Sequence, residues 1–125
     1  MAGGAILINE SGQQIDQWAK WQSMPEFDLT LFLKGYPFLI STVLIRRSAF
    51  DKLDYWFDPT LERAEDSDFF NRLTLANCRM AWKPEWVAYY RQHPANSQED
   101  ALSTLQAKIK VLDKVFNSSQ LPAAV

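Results

Sequence analysis

The sequence predicts a mixed α/β (α+β) domain, with strands gathered into one sheet, helices flanking it and a long helix near the C-terminal end. Three observations carry that expectation. Residues 38–45 are apolar at nearly every position and rich in β-branched side chains, which suits a strand buried on both faces. Residues 65–76 place Phe69, Phe70, Leu73 and Ala76 at helical spacing. After residue 100, Leu102, Leu105, Ile109, Leu112 and Phe116 recur at alternating steps of three and four.

Taken in order, Ala5-Ile6-Leu7-Ile8 reads as a short buried strand and Asn9-Glu10-Ser11-Gly12 as a turn. Residues 16–28 show no clean period and contain Trp18, Trp21 and Pro25, which predicts irregular chain. Residues 29–34 predict a short helix stopped by Gly35. The run 38–45 is then the strongest strand and takes the centre of the sheet. Ser48 is placed to cap a brief helix reaching Leu53, and Phe57-Asp58-Pro59 enters a loop because the residue before proline avoids helical geometry. The helix from Glu65 to Ala76 is stopped by Asn77 in the left-handed region. Residues 79–82 and 86–90 read as two short strands around Pro84-Glu85. Asn96-Ser97-Gln98-Glu99 resembles a capping box that opens the last helix. Its apolar stripe is either a packing face on the domain or a seam for a partner helix, and the packing face is the expected use. Residues 1–117 are expected to form a single domain and 118–125 a frayed tail.

The composition narrows the function classes. A chain of 125 residues at 47% hydrophobic and 22% charged buries one core and is not a disordered segment. A net charge of -2 and a pI near 5.3 give no general attraction to nucleic acid or anionic membranes. Five tryptophans and eight phenylalanines predict a large aromatic core, the alternative being an exposed platform for sugar rings or a partner protein. The single cysteine, Cys78, excludes an internal disulfide and a zinc site built on cysteines. No run approaches the ~18 apolar residues of a membrane-spanning helix, and the first residues lack the features of a signal peptide. The expected location is cytoplasmic, or peripheral to the membrane, without a membrane span.

Two stretches carry candidate chemistry. Glu65, Asp66 and Asp68 crowd the first turn of the predicted helix, where the helix dipole favours negative charge whatever its use. One of these carboxylates can instead act as a general base, and Asp66, three residues before Phe69, borders the core. Downstream, Arg91-Gln92-His93 holds the only histidine at a strand end. It is a surface residue, a phosphate contact shared with Arg91, or part of a metal shell supplied mainly from elsewhere. The sequence has no P-loop, GxGxxG, HExxH or GxSxG motif.

In order, the segments 41–50, Phe57-Asp58-Pro59, Glu65-Asp66-Ser67-Asp68, Arg72-Leu73, Pro84-Glu85, Tyr90-Arg91-Gln92-His93 and Asn96-Ser97 resemble the C-terminal, acceptor-side half of family 2 glycosyltransferases. These are GT-A-fold enzymes that use nucleotide-sugars. The resemblance implies a partial GT-A-like mixed sheet and an inverting transferase of the hexosyltransferase type. In it Asp66 would be the catalytic base and Glu65 its neighbour at the acceptor. Asp68, Arg91 and His93 would contact substrate, with His93 at most an accessory metal ligand.

The family's nucleotide-binding half and its Asp-x-Asp metal motif have no counterpart in this sequence. Asp66-Ser67-Asp68 matches that pattern only as text. The chain is therefore expected to be an acceptor-side portion, inactive in transfer by itself. Its partners would be a nucleotide-sugar and a glycan acceptor, not nucleic acid. The Mg or Mn ion of the full-length enzymes would not be bound by this portion. The alternative is a non-catalytic binding or oligomerisation module derived from the same fold. Loss of the other half would expose a strand edge at residues 5–8 or 38–45, which predicts a homodimer or higher oligomer.

Overall fold

The computed structural model of the chain describes residues 1–24, 29–35, 37–93 and 101–118. Its elements follow as β1 (Ala2–Ile8), β2 (Gln14–Trp18), α1 (Leu29–Lys34), α2 (Arg47–Phe50), α3 (Glu65–Leu75), β3 (Trp82–Arg91) and α4 (Ala101–Phe116), with 3-10 turns at Lys20–Gln22 and Ile40–Thr42. A mixed three-stranded sheet and four helices make this an α+β fold. No helix among the described residues is long and apolar enough to cross a membrane. Contacts divide the chain into two compact units. Met1–Phe27, Pro37–Ile45 and Met80–Glu99 make the first; Asp28–Tyr36, Arg46–Arg79 and Asp100–Val125 make the second.

The first unit holds the sheet, in the order β2-β1-β3. β1 runs antiparallel to β2 and parallel to β3, so its Ala-Ile-Leu-Ile run is the buried centre. The hairpin to β2 closes at Gly12, whose φ of 82° a Cβ would disfavour. Asn9 completes it by accepting the Gln13 N–H at 2.9 Å. The chain expected to be irregular after residue 16 therefore includes the end of a strand. β2 lacks a hydrophobic period because its residues are almost all exposed, and it is held by backbone pairing with β1 instead.

The two short strands expected around Pro84 are one strand, β3. The pairs Ala2↔Trp82 and Gly4↔Trp86 take two steps on β1 and four on β3, and that irregularity accommodates a proline with no N–H to donate. Gly3 and Gly4 let neighbours come close: a Cβ on Gly4 would lie 2.5 Å from the Trp21 ring. Trp21 in turn packs against Trp82 and Trp86 at centroid distances of 6.3 and 5.3 Å.

Residues 38–45 are not the central strand. Ile40–Thr42 winds into a 3-10 turn in which the Thr42 hydroxyl donates to the Leu39 carbonyl at 2.7 Å. Short hydroxyl side chains compete in this way with sheet pairing. Only an isolated bridge, Ala2↔Val43, ties this stretch to β1. Because β1 has a partner on each side, neither of the edges expected to be open at 5–8 or 38–45 exists as such; the sheet ends at β2 and β3.

The second unit is helical. α1 ends at Gly35, where the Gly35 N–H donates to the Phe32 carbonyl at 3.0 Å. α2 is shorter than expected, and Arg46 rather than Ser48 is its N-cap, with no side-chain cap bond. α3 buries Phe69, Phe70, Leu73 and Leu75. It stops as the sequence predicts: Asn77 adopts φ 54°, its N–H donates to Thr74, and the Cys78 N–H donates to Leu73. Phe50 and Phe57 lie 5.4 and 5.1 Å from the Phe69 ring.

α4 turns a different face to its core from the one expected. Val111 and Val115 are buried, whereas Leu102, Leu105, Ile109 and Phe116 are exposed. Lys114 explains the rotation, since ion pairs made from this side of the helix turn its neighbours Val111 and Val115 inward. The capping box at residues 96–99 and the tail from residue 119 lie outside the described residues.

Candidate functional site

α3 opens with Glu65, Asp66 and Asp68 in one turn, but their surroundings set them apart. Glu65 is exposed and Asp66 half-buried. One Asp66 carboxylate oxygen accepts the Ser67 N–H at 2.7 Å, which orients the side chain across the helix start. Just before them Ala64 sits in the left-handed region at φ 59°, ψ 22°, with no side-chain cap for the helix. A non-glycine residue held there carries strain of roughly 1 kcal/mol or more, and such strain gathers at functional turns.

Asp68 is different. It is 2% exposed, with Oδ2 accepting from Arg72 Nε at 2.8 Å and Oδ1 facing Lys114 Nζ at 2.5 Å. Lys114 also donates to Asp58 at 2.7 Å. Arg72 continues the network to the Tyr55 and Trp56 carbonyls at 2.6 and 2.7 Å and lies 4.0 Å over the Tyr55 ring. The Lys114 hydrogen bond leads the causes that hold the Asp58 carboxyl well below the usual carboxylate range. Both Asp68 oxygens are thus committed within the fold.

A cleft of about 250 Å³ lies in the same unit, between the loop Thr60, Leu61, Glu62, Arg63 and one side of α4 at Ser103, Gln106, Ala107 and Lys110. Arg63, the last loop residue of its lining, immediately precedes the left-handed Ala64 in sequence. Its lining is polar, with cations from Arg63 and Lys110 and an anion from Glu62.

The other predicted pair belongs to the first unit. Arg91 ends β3 opposite Ile8 and donates to the Asn9 and Glu10 carbonyls at 3.0 and 2.7 Å, fastening the β1–β2 turn. His93 is exposed two residues beyond. The structure therefore groups Glu65, Asp66 and Asp68 on one turn and Arg91 with His93 at one strand end, in separate units.

Against protein-family models, curated proteins and solved structures, the chain has no match.

No three His, Cys, Asp or Glu side chains converge on a possible metal position among the described residues. Sequence reasoning missed Asp58, Lys114 and the cleft. Asp68 and Arg72, four apart on a helix, carry a local signal. Lys114 and the Glu62–Lys110 surroundings come from distant segments and carry none.

Proposed function

We propose that the chain is the acceptor-binding and catalytic-base portion of an inverting, nucleotide-sugar-dependent glycosyltransferase. The observation that carries this reading is the exposed Glu65 and half-buried Asp66 on a turn held in a left-handed backbone at Ala64, in the unit that also holds a polar cleft. At about 250 Å³ the cleft is below the ~300–1,000 Å³ of drug-sized sites, a size suited to one terminal sugar of an acceptor. Asp66 would take the proton of the acceptor hydroxyl as that oxygen attacks the anomeric carbon. The bond to the nucleoside diphosphate would break with its electron pair leaving on phosphate. Glu65 would hold the acceptor. Arg91 and His93, which belong to the other unit, would contact the donor in the complete enzyme. Asp68, engaged with Lys114 and Arg72, would support the turn from behind. Transfer needs a donor-binding unit in addition to these elements.

The engagement of Arg91 with backbone carbonyls favours a second reading, a non-catalytic binding module that keeps the fold without the chemistry. Calorimetry of the chain against a panel of hexose-terminated oligosaccharides separates the two. Saturable binding that Glu65→Ala and Asp66→Ala each weaken about tenfold is the expected result. Silence toward every glycan would sink the glycosyltransferase reading and leave the module.

A further inference from the structure

α4 has one face too many for its own core. Val111 and Val115 are 2% and 3% exposed, while Leu102, Leu105, Ile109 and Phe116 are 62, 56, 50 and 55% exposed. With the half-buried Leu112, these five side chains step by three and four along the helix. Leu102, Ile109 and Phe116 hold the a positions of a heptad pattern, and Leu105 and Leu112 hold the d positions. A seam this regular and narrow suits a facing helix better than the broader stripe of a helix laid on its own domain.

The flanking charges identify the occupant. Lys108 stands at g and Asp113 at e, both exposed. In a parallel pair of identical helices, g faces the e position five residues on in the other strand. Lys108 would therefore meet Asp113 of the second copy, and Asp113 its Lys108, giving two symmetric ion pairs. An antiparallel pair centred on the same seam would face g with g and bring the two Lys108 side chains together. Leu at d with Ile at the central a position favours two strands over three.

We propose that α4 binds a second copy of this chain, forming a parallel, two-stranded coiled coil through Leu102, Leu105, Ile109, Leu112 and Phe116. The pairing uses a helix face and not a sheet edge, and it does not depend on the role given to Asp66. The 125-residue chain should sediment as a monomer–dimer equilibrium between ~5 and ~500 μM, the range expected of a short seam. Ile109→Glu should give a monomer with an unchanged circular dichroism spectrum and the melting temperature of the parent at a dilution where it is monomeric. Lys108→Glu and Asp113→Lys should each weaken the dimer about tenfold, and combining them should restore it to within about threefold of the parent. A chain that stays monomeric at ~500 μM, a dimer that survives Ile109→Glu, or a double variant no tighter than the single ones would overturn the proposal. A monomer throughout would assign the face to a different protein.

Discussion

Lys114 stands between two carboxylates, and its balance shows how a buried charge is kept. Burial works against its ammonium, but hydrogen bonds with Asp58, Asp68 and Tyr55 outweigh that and hold its pKa well above the ordinary 10.5. Asp58, mainly through Lys114, lies well below its ordinary 3.8. The depressed carboxylate stabilises the fold above its unfolded pKa, and this is lost as pH falls toward the folded value. The raised ammonium stabilises below its unfolded pKa, and this is lost as pH rises toward the folded one. The second unit should therefore show a stability plateau from roughly pH 4 to pH 10, falling away on both sides. Lys114→Met, which leaves Asp68 buried with Arg72 as its remaining cation among the described residues, should cost about 3 kcal/mol at neutral pH. Thermal melts across the pH range check both, and a loss below ~1 kcal/mol would contradict the part given to Lys114 in holding the buried Asp68. Part of this network is open to a reader of the sequence, since Asp68 and Arg72 stand one helical turn apart. Lys114 is not, because nothing local marks which lysine of an amphipathic helix faces inward.

At the level of elements, β1 depends on two glycines whose role is spatial. A Cβ on Gly4 would lie 2.5 Å from two Trp21 ring atoms and 2.9 Å from the Trp18 carbonyl oxygen. Gly4→Ala should thus cost about 1–3 kcal/mol by overpacking. Gly12→Ala, with open space but a φ of 82°, should cost about 1 kcal/mol through backbone strain alone. Urea unfolding ranks them, and a larger loss at Gly12 would contradict the packing account of the first residues. The same segment explains what the sequence conceals. Ala2-Gly3-Gly4 has weak strand propensity, so the centre of the sheet looks like a short strand of four residues. Residues 38–45 have strong propensity and are not a strand, because Thr42 satisfies a carbonyl locally and β1 already fills the centre. The helices are easier to read. α3 announces both ends through its acidic first turn and Asn77, signals that act within a few residues. α4 announces its existence but not its orientation, which Lys114 sets through partners far away in sequence.

At the scale of the whole molecule, each unit is assembled from three separated stretches of chain. A chain ending at Arg79 would lack β3 from the first unit and α4 from the second. It should show no cooperative thermal transition by circular dichroism; a sharp melt would mean that one unit folds without its last stretch. This interleaving also limits what motif order reveals. The segments that resemble an acceptor-side glycosyltransferase lie in sequence order, but their grouping into two units depends on pairings such as Ile8↔Arg91 that no local pattern records. The strand order has a further consequence during synthesis. β1 leaves the ribosome before β2 and β3 and can zip to β2 at once, but its other side waits for β3. At ordinary elongation rates, the residues between Trp18 and Arg91 take roughly 4–15 s to appear. Throughout that interval a nascent Ala-Ile-Leu-Ile segment presents an unpaired backbone edge, a template for wrong pairing that a chaperone would cover.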